Sequence, residues 1–392
     1  MAYLLANPEA QAPHLTGFLN QMPNPENYIT SNADLSEVVE MINQEKLVAL
    51  DTEFMREKTY YPILSLIQIA VRKSGEQKLF IVDALSGLDL KPLIAIIFDK
   101  KITKILHASL QDLQIFYQKS DIPHLGMLDE VVESVIDTQI MANFCGFDFN
   151  SGYSSLVEKL LNKDLDKSLQ RSDWQRRPLS SQQLEYALLD VIFLEEIHQK
   201  LYQILQQKNR KDWYLEELKS FISKTMIESK DSLFRSFSFK GRSRDQVIKI
   251  KNLALWREEQ AKKFDVPRQH FMRDHVIERI VLSGEIAANL SAQQISEIKK
   301  ILEQKEQILE KSSEKFLGKE EGYFMTDKQK LIYKEAKDLI AKIACEENIK
   351  EQFLITSQNL KNLVCSKKPI AQSLSGWRYQ LCGQPLEQII NK

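Results

Sequence analysis

The chain has 392 residues, which is enough for two or three domains of ordinary size. Its formal net charge of −1 argues against a generally basic nucleic-acid-binding protein, although a local basic surface remains compatible with this total. Four widely separated cysteines without a CxxC pair argue against a zinc ribbon or a disulfide scaffold, and they favour a reducing cytoplasm.

Residues 1–27 are polar and contain four prolines, so we expect an N-terminal extension with little core of its own. This stretch lacks the features of a signal peptide, and no apolar run in the chain approaches the roughly 18 residues of a membrane span. A short helix is predicted from Ser36 to Asn43. The apolar run Leu47–Leu50 then predicts a strand that is buried on both faces.

Strands and helices alternate through the rest of the first half. Strands are predicted at Leu64–Val71, Leu79–Asp83, Ile102–Leu106 and Val135–Gln139, and helices at Leu90–Phe98, from Ser109 onward, and at Gln183–Gln206. This alternation predicts an α/β domain with a mixed sheet.

Two carboxylates, Asp51 and Glu53, come directly after the buried strand. Residues i and i+2 of a strand project to the same face, so these two side chains should point the same way. Their like charges repel unless a cation lies between them, and hard oxygen ligands suit Mg²⁺ or Mn²⁺. A solvated strand end with two unrelated acids explains the pair equally well.

Further acidic residues lie on two of the predicted helices. Asp112 is in the first turn of the helix from Ser109, at the edge of the sheet where sites form in α/β proteins. It equally fits a carboxylate that complements a helix dipole. Tyr186 and Asp190 are four residues apart and share a helix face, and an ordinary hydrogen bond would explain them.

The ordered motifs resemble those of the DEDD exonuclease superfamily, in its tyrosine subclass, and within it those of the bacterial ribonuclease D family. The resemblance extends from about Tyr28 over nearly the whole remaining chain. The motifs that carry it are Leu50–Phe54, Thr59–Pro62, Leu66–Gln68, Leu106–Ala108 with Asp112, Asp137–Gln139, Asp173–Trp174, Arg177–Leu179 and Tyr186–Val191. Glu185 stands where the histidine subclass would place its histidine, which favours the tyrosine subclass.

The resemblance implies a ribonuclease-H-like exonuclease domain that uses two divalent metal ions, Mg²⁺ or Mn²⁺. It implies that Tyr186 orients the attacking water, since a phenol with an intrinsic pKa near 10 is a positioner more readily than a base. The metal ligands it implies are Asp51, Glu53, Asp112 and Asp190, some of them acting through water.

Several other residues are candidates for contacts with the substrate. His107 closes a strand and fits a packed, hydrogen-bonded histidine better than a metal ligand. Phe54 is able to stack on a base or to pack in the core, and the basic residues lie in a stretch that equally fits a solvated loop. The candidates are Thr52, Phe54, His107, Lys167 and Arg177.

The second half is predicted to be helical and to end in two bundles that resemble the helicase-and-ribonuclease-D C-terminal (HRDC) domain. The aromatic and basic stretch Leu233–Arg244 suits single-stranded RNA, although anchoring aromatics in a linker would look the same. The predicted ranges are 1–27 for the extension, 28–207 for the exonuclease domain, 208–245 for a helical linker, and 246–310 and 327–392 for the two HRDC-like bundles.

These features predict a monomeric, cytoplasmic 3′→5′ exoribonuclease that releases 5′-mononucleotides from RNA with a single-stranded 3′ end. Precursors of tRNA and other structured RNAs are the expected substrates. A catalytically weak exonuclease fold that serves as an RNA-binding scaffold is one alternative, but all five motif positions are filled. A DNA-directed 3′–5′ exonuclease is another, although the remaining half leaves no room for a polymerase. A small dimeric oligoribonuclease is disfavoured by Glu185 and by the added bundles.

Overall fold

A computed structural model of the protein describes the greater part of the chain, namely residues 27–119, 134–165, 169, 172–226, 233–286, 290–304, 325–365, 369–374 and 376–391. Contacts divide the chain into two compact units. Among the described residues, the first unit comprises those up to 55 and those within 64–226 and 344–353, and the second comprises those within 56–63, 227–343 and 354–392. Within the described parts of the chain, no helix is long and apolar enough to cross a membrane.

The first unit is an α/β unit built on one six-stranded sheet. Its strands are β1 (Tyr28–Ile29), β2 (Leu47–Met55), β3 (Ile63–Lys73), β4 (Glu76–Asp83), β5 (Thr103–Leu106) and β6 (Val135–Asp137). Its helices are α1 (Asn32–Glu45), α2 (Lys91–Phe98), α3 (Leu110–Lys119), α4 (Thr138–Cys145), α5 (Tyr153–Leu161), α6 (Ser181–Ile192), α7 (Leu194–Gln207) and α8 (Lys211–Met226).

The sheet is mixed, as the sequence predicts. Its strand order is β1-β4-β3-β2-β5-β6, and β4 pairs with β1 in parallel but with β3 in antiparallel register. Ser74 and Gly75 join β3 to β4 with φ values of 52° and 87°, the two positive angles that a tight two-residue hairpin turn requires. β2 pairs in parallel with β5 over Leu47–Ala49 and then continues beyond that pairing. The continuation carries Asp51 and Glu53.

The helices that matter for the site pack on this sheet. α6 contacts β2 and β4, and α7 contacts β5. The sequence predicts one helix over Gln183–Gln206, but the structure contains two, because the helical hydrogen bonding is interrupted at Phe193. A side chain from α5 causes this interruption, because it bonds to the helix backbone at Leu189 and Phe193.

A short segment from the C-terminal half of the chain belongs to the first unit. The carboxylate of Glu347 pairs with the Arg210 guanidinium at 2.7 Å, and the ring of Phe353 lies 4.9 Å from that of Phe144. Residues 344–353 therefore pack on α4 and pair with Arg210, although the predicted ranges assign them to the last bundle. The five predicted domain ranges stay a prediction.

The second unit is helical. Its helices are α9 (Arg244–Phe264), α10 (Arg268–Phe271), α11 (Asp274–Ser283), α12 (Ala292–Glu303), α13 (Asp327–Glu347, whose end belongs to the first unit), α14 (Glu351–Leu354, likewise shared), α15 (Ser357–Cys365), α16 (Gly376–Arg378) and α17 (Gln384–Ile390), with a 3₁₀ turn at Ile370–Gln372 and a π turn at Tyr379–Gly383. Ser243 and Gln246 form a capping box that starts α9. The assignment of these helices to HRDC-type bundles remains a prediction.

The aromatic residues before α9 are part of its hydrophobic core. Leu233, Phe234 and Phe237 are buried against the apolar face of α9, α11 and α12. The Lys251 ammonium lies 5.5 Å from the centre of the Phe234 ring, and the Arg257 guanidinium lies 5.6 Å from that of Phe237. Of the two interpretations of this stretch, the structure favours aromatic residues that anchor the segment.

Candidate active site

The site begins where β2 extends past its pairing with β5. Val48, Ala49 and Leu50 are buried, and Asp51 and Glu53 follow on one face of the strand with partly buried side chains. Oxygen atoms of Asp51, Glu53 and Asp190 all lie within 4.8 Å of one another. The structure therefore brings together three of the four carboxylates that the sequence predicts as metal ligands.

The fourth carboxylate, Asp112, is placed by a short network of hydrogen bonds. Thr52, which lies between the two β2 carboxylates, donates its hydroxyl to Oδ1 of Asp112 at 2.5 Å. The helix that carries Asp112 is held at its start by Asp137, which accepts from the backbone N–H and the hydroxyl of Ser109, both at 2.8 Å. Asp112 thereby lies beside Thr52, although it is not one of the three residues whose oxygens cluster.

Tyr186 and Asp190 come from α6, which a capping box of Ser180 and Gln183 starts. The two residues are one helical turn apart, and the Tyr186 hydroxyl donates to the Asp190 carboxylate. The ring of Tyr186 lies 6.0 Å from that of Trp174, which is buried. Burial raises the pKa of Tyr186, and the nearby negative charges raise it further, so the phenol keeps its proton at neutral pH.

Burial is the largest cause that raises the pKa values of all four carboxylates, and the charges of acidic neighbours within the group raise those of Asp51 and Glu53 further. The pKa of Glu53 rises to about 9, with Asp190 and Asp112 as further causes. The pKa of Asp190 rises to about 7, and that of Asp112 to about 6. The pKa of Asp51 is also raised by burial and then by its three acidic neighbours.

Buried like charges of this kind are unfavourable without a counter-ion. The donor set consists of carboxylate oxygens, which suit hard divalent cations such as Mg²⁺ and Mn²⁺. The clustered oxygens and the raised pKa values therefore fit a divalent metal centre, with the three clustered residues as its core.

A tyrosine that the sequence analysis did not single out shapes the helix of Tyr186 and Asp190. Tyr153 donates its hydroxyl to the carbonyl of Leu189 at 3.0 Å, and the Phe193 N–H donates to the same hydroxyl at 3.1 Å. The hydroxyl thus takes the place of a direct bond between Phe193 and Leu189, and an inserted group of this kind interrupts a helix. Helical spacing alone gives no signal for such an insertion.

Replacing Tyr153 by Phe is expected to lower the free energy of unfolding by about 1–3 kcal/mol, because a carbonyl and an N–H of the helix backbone lose their shared partner. Urea unfolding of the metal-free protein measures this loss. Tyr202→Phe on α7 is the control, because the described contacts of Tyr202 are ring contacts that Phe retains. Equal midpoints for Tyr153→Phe and wild type would show that the helix closes without the hydroxyl.

The residues predicted to contact substrate have different environments. Thr52 is buried and bonded to Asp112, whereas Phe54 is partly buried. His107 lies with Nδ1 2.9 Å from the Thr138 hydroxyl, which itself donates to the Leu106 carbonyl at 3.0 Å. Since that hydroxyl proton is already used, Nδ1 of His107 is the donor. Substrate contacts by these three residues stay predictions.

The two basic candidates differ in what can be said of them. Lys167 lies outside the described residues. Arg177 directs its guanidinium at Asp83, with two N···O distances of 2.7 and 2.6 Å. This pairing gives Arg177 a partner inside the fold, and a phosphate would have to compete with it.

Comparisons with known proteins agree with the geometry. Residues 27–206 match the family model described as 3′-5′ exonuclease. Ribonuclease D of Bartonella henselae is 28% identical over 374 residues, covering 92% of this chain and 89% of that protein. Ribonuclease D of Gluconacetobacter diazotrophicus is 34% identical over 258 residues, covering 65% of this chain and 63% of that protein.

A solved structure extends the likeness over the C-terminal half. The crystal structure of Escherichia coli RNase D, described as an exoribonuclease involved in structured RNA processing, superposes with a TM-score of 0.71 at 26% identity. The match covers 93% of this chain and 98% of that one. The chain belongs to the ribonuclease D family. The ribonuclease-H-like exonuclease domain with its mixed sheet and the helical C-terminal region are thereby confirmed as the fold.

Proposed function

We propose that this member of the ribonuclease D family is a 3′→5′ exoribonuclease that requires divalent metal ions and releases 5′-mononucleotides from single-stranded 3′ ends. The observation that carries the proposal is the group of oxygens from Asp51, Glu53 and Asp190 within 4.8 Å, with Tyr186 bonded to the third of them. Carboxylates grouped in this way are able to hold the divalent ions that assist phosphodiester cleavage.

The carboxylates provide the binding chemistry. Asp51, Glu53 and Asp190 would hold the ions, and Asp112 would join them directly or through water. Two divalent ions bound there would activate a water and neutralise the charge that builds on the leaving oxygen. Whether the ion is Mg²⁺ or Mn²⁺ affects none of the roles assigned to these side chains.

Tyr186 positions the nucleophile. Its raised pKa keeps the phenol protonated, and its proton is donated to Asp190. The phenolic oxygen retains lone pairs that accept a hydrogen bond from a water beside the carboxylates. Because the Tyr186 hydroxyl is held one helical turn from Asp190, it restricts the position of that water. This restriction lowers the entropic part of the activation barrier for hydrolysis.

We infer that the natural substrates are structured RNAs with single-stranded 3′ ends, and tRNA precursors foremost. The name of the E. coli relative supports RNA processing as the general role. A monomer that acts in the cytoplasm completes the proposal, and the four dispersed cysteines agree with a reducing compartment.

The proposal is tested with a 5′-labelled RNA hairpin that carries a single-stranded 3′ tail. In Mg²⁺ or Mn²⁺ we expect a ladder that shortens one nucleotide at a time and stops near the stem, with 5′-mononucleotides as products. A tRNA precursor with a 3′ trailer should be trimmed in the same way. DNA of the same sequence should be degraded more slowly, and a preference for DNA would favour the DNA-directed alternative. Binding without cleavage would favour the scaffold.

Metal ions are expected to stabilise the protein, and more so at pH 8 than at pH 6. Raised pKa values mean that the metal-free folded state keeps protons that the unfolded state has lost above about pH 4. Stability of the metal-free protein should therefore fall as pH rises toward about 9, the pKa of Glu53. Metal replaces those protons, and a concentration 100-fold above its Kd adds about 2.7 kcal/mol.

Thermal melts at both pH values, with and without Mg²⁺ or Mn²⁺, measure this stabilisation. The metal-induced rise in Tm should be the larger one at pH 8, where fewer protons have to be displaced from Glu53 and Asp190. A rise that is equal at the two pH values, or no rise at all, would contradict the metal centre.

A further inference from the structure

The guanidinium of Arg177 is fully engaged inside the first unit. Its Nε and Nη2 donate to the two oxygens of Asp83 at 2.7 and 2.6 Å, and Nη2 also donates to the Ser65 carbonyl at 3.2 Å. Its Nη1 donates to the carbonyls of Trp174 and Arg176 at 2.7 and 2.9 Å. All five N–H groups of the side chain thus have an acceptor.

The acceptor Asp83 is itself held firmly at the end of β4. Its side chain is only 6% exposed, and it accepts from the Tyr28 hydroxyl at 2.5 Å and from the Leu85 N–H at 3.0 Å. The parallel pairing of β1 with β4 brings Tyr28 to this position. Burial opposes ionisation of Asp83, but the hydrogen bonds from Arg177 and Tyr28 outweigh it and lower its pKa.

Arg177 connects Asp83 to Trp174, the aromatic residue beside Tyr186. The carbonyl of Trp174 accepts from Arg177, and the Trp174 ring, 2% exposed, lies 6.0 Å from the Tyr186 ring at an interplanar angle of 35°. The Gln183 amide adds a longer contact of 3.4 Å from the first turn of α6 to the carbonyl of Asp173. The segment 173–177 therefore packs between the end of β4 and the start of α6, the helix of Tyr186 and Asp190.

We propose that Arg177, fixed by Asp83, is a positioning residue that sets Trp174 against Tyr186 and thereby fixes where the phenol holds the attacking water. The inference rests on the proposed function, since it concerns the turnover of that same site. This positioning role takes the place of the RNA phosphate contact that the sequence predicts for Arg177. A bidentate guanidinium–carboxylate pair has the rigidity that such a role requires.

The two roles of Arg177 predict different kinetics. A residue that contacts phosphate contributes to RNA binding, so its loss weakens the Kd and reduces the salt dependence of binding by about one unit of slope. A residue that positions Tyr186 affects the transition state, so its loss lowers kcat and leaves the Kd for RNA unchanged.

The test is a double-mutant cycle between Arg177→Lys and Tyr186→Phe. Lysine keeps the charge but cannot reproduce the planar, five-donor arrangement. We expect Arg177→Lys to lower kcat about tenfold in the wild-type background, in which the phenol acts, and less than about twofold in Tyr186→Phe. The Kd for RNA, measured in Ca²⁺ so that bound RNA remains intact, should change less than twofold.

Two further variants secure the result. Arg176→Lys makes the same chemical change at the exposed neighbouring position and should keep wild-type kcat. Asp83→Asn keeps the shape of the side chain that Arg177 binds and removes its charge, so it should also lower kcat. This variant serves as the test if Arg177→Lys fails to fold.

Each outcome decides between a positioning role and a phosphate contact for Arg177. A tenfold loss that persists in Tyr186→Phe, or a raised Kd with unchanged kcat, would overturn the positioning role while the exonuclease assignment stands. Wild-type protein that leaves RNA intact would instead overturn the proposed function.

Discussion

Replacing Asp190 by Asn is expected to lower kcat for RNA hydrolysis by about 10³-fold or more. The substitution keeps the shape of the side chain but removes one of the three clustered carboxylates and the partner of the Tyr186 hydroxyl. A metal centre that loses one negative ligand binds its ions more weakly and stabilises the leaving oxygen less. Asparagine also leaves the phenol without a charged acceptor.

The loss should occur without unfolding. The Asp190 charge raises the pKa of Glu53 and of Asp51, so its removal relieves repulsion in the metal-free protein. The Tm of metal-free Asp190→Asn at pH 8 should therefore be at least that of wild type. Asp164→Asn, at an exposed loop position, is the matched control and should keep full activity. Activity within tenfold of wild type for Asp190→Asn would contradict its role as a metal ligand.

Replacing Tyr186 by Phe is expected to lower kcat about 10²-fold while the Kd for RNA and the stabilisation by metal stay near wild type. Phenylalanine keeps the ring packed against Trp174 but loses the hydroxyl that donates to Asp190. The carboxylates remain in place, so the ions still bind and some hydrolysis continues. The loss is smaller than for Asp190 because Tyr186 orients the water and holds no metal.

Single-turnover rates with saturating enzyme separate this effect from product release. Tyr202→Phe makes the same change on the next helix and should keep the wild-type rate. Equal rates for Tyr186→Phe and wild type would remove the phenol from the mechanism. A loss of metal-induced stabilisation in this variant would mean that the hydroxyl acts through Asp190 rather than through water.

The parts of the site that depend on local pattern could be predicted from the sequence. A run of four apolar residues that ends in Asp51 and Glu53 places two carboxylates on one face, and strand spacing alone establishes this. The spacing of Tyr186 and Asp190 likewise establishes a shared helix face. Ordered motifs then connected these elements, and the comparisons confirmed the family.

The parts that depend on distant contacts could not be predicted. Arg177 is 94 residues from Asp83 along the chain, so its stretch resembled a basic loop rather than an ion pair. The hydroxyl of Tyr153 enters a helix 36 residues away, so helical periodicity predicted one helix where there are two. In both cases tertiary hydrogen bonds override a local pattern.

The position of Ala344–Phe353 also depends on contacts with residues that are distant in the sequence. These residues continue a helical pattern that favours a C-terminal bundle, yet Glu347 pairs with Arg210 and Phe353 packs on Phe144. An amphipathic segment contains no information about which surface covers its apolar face. The buried aromatic residues before α9 illustrate the same limit, because base stacking and core packing call for the same residue types.

The need for a free 3′ end is tested by comparing linear and circular RNA of one sequence in Mg²⁺ or Mn²⁺. A 3′→5′ exonuclease needs a free end, so we expect the linear RNA to be converted to 5′-mononucleotides while the circle stays intact. Addition of a chelator should stop the reaction, and fresh metal should restore it. Cleavage of the circle, or a linear RNA that is bound but uncut with either metal, would contradict a metal-dependent 3′→5′ exoribonuclease.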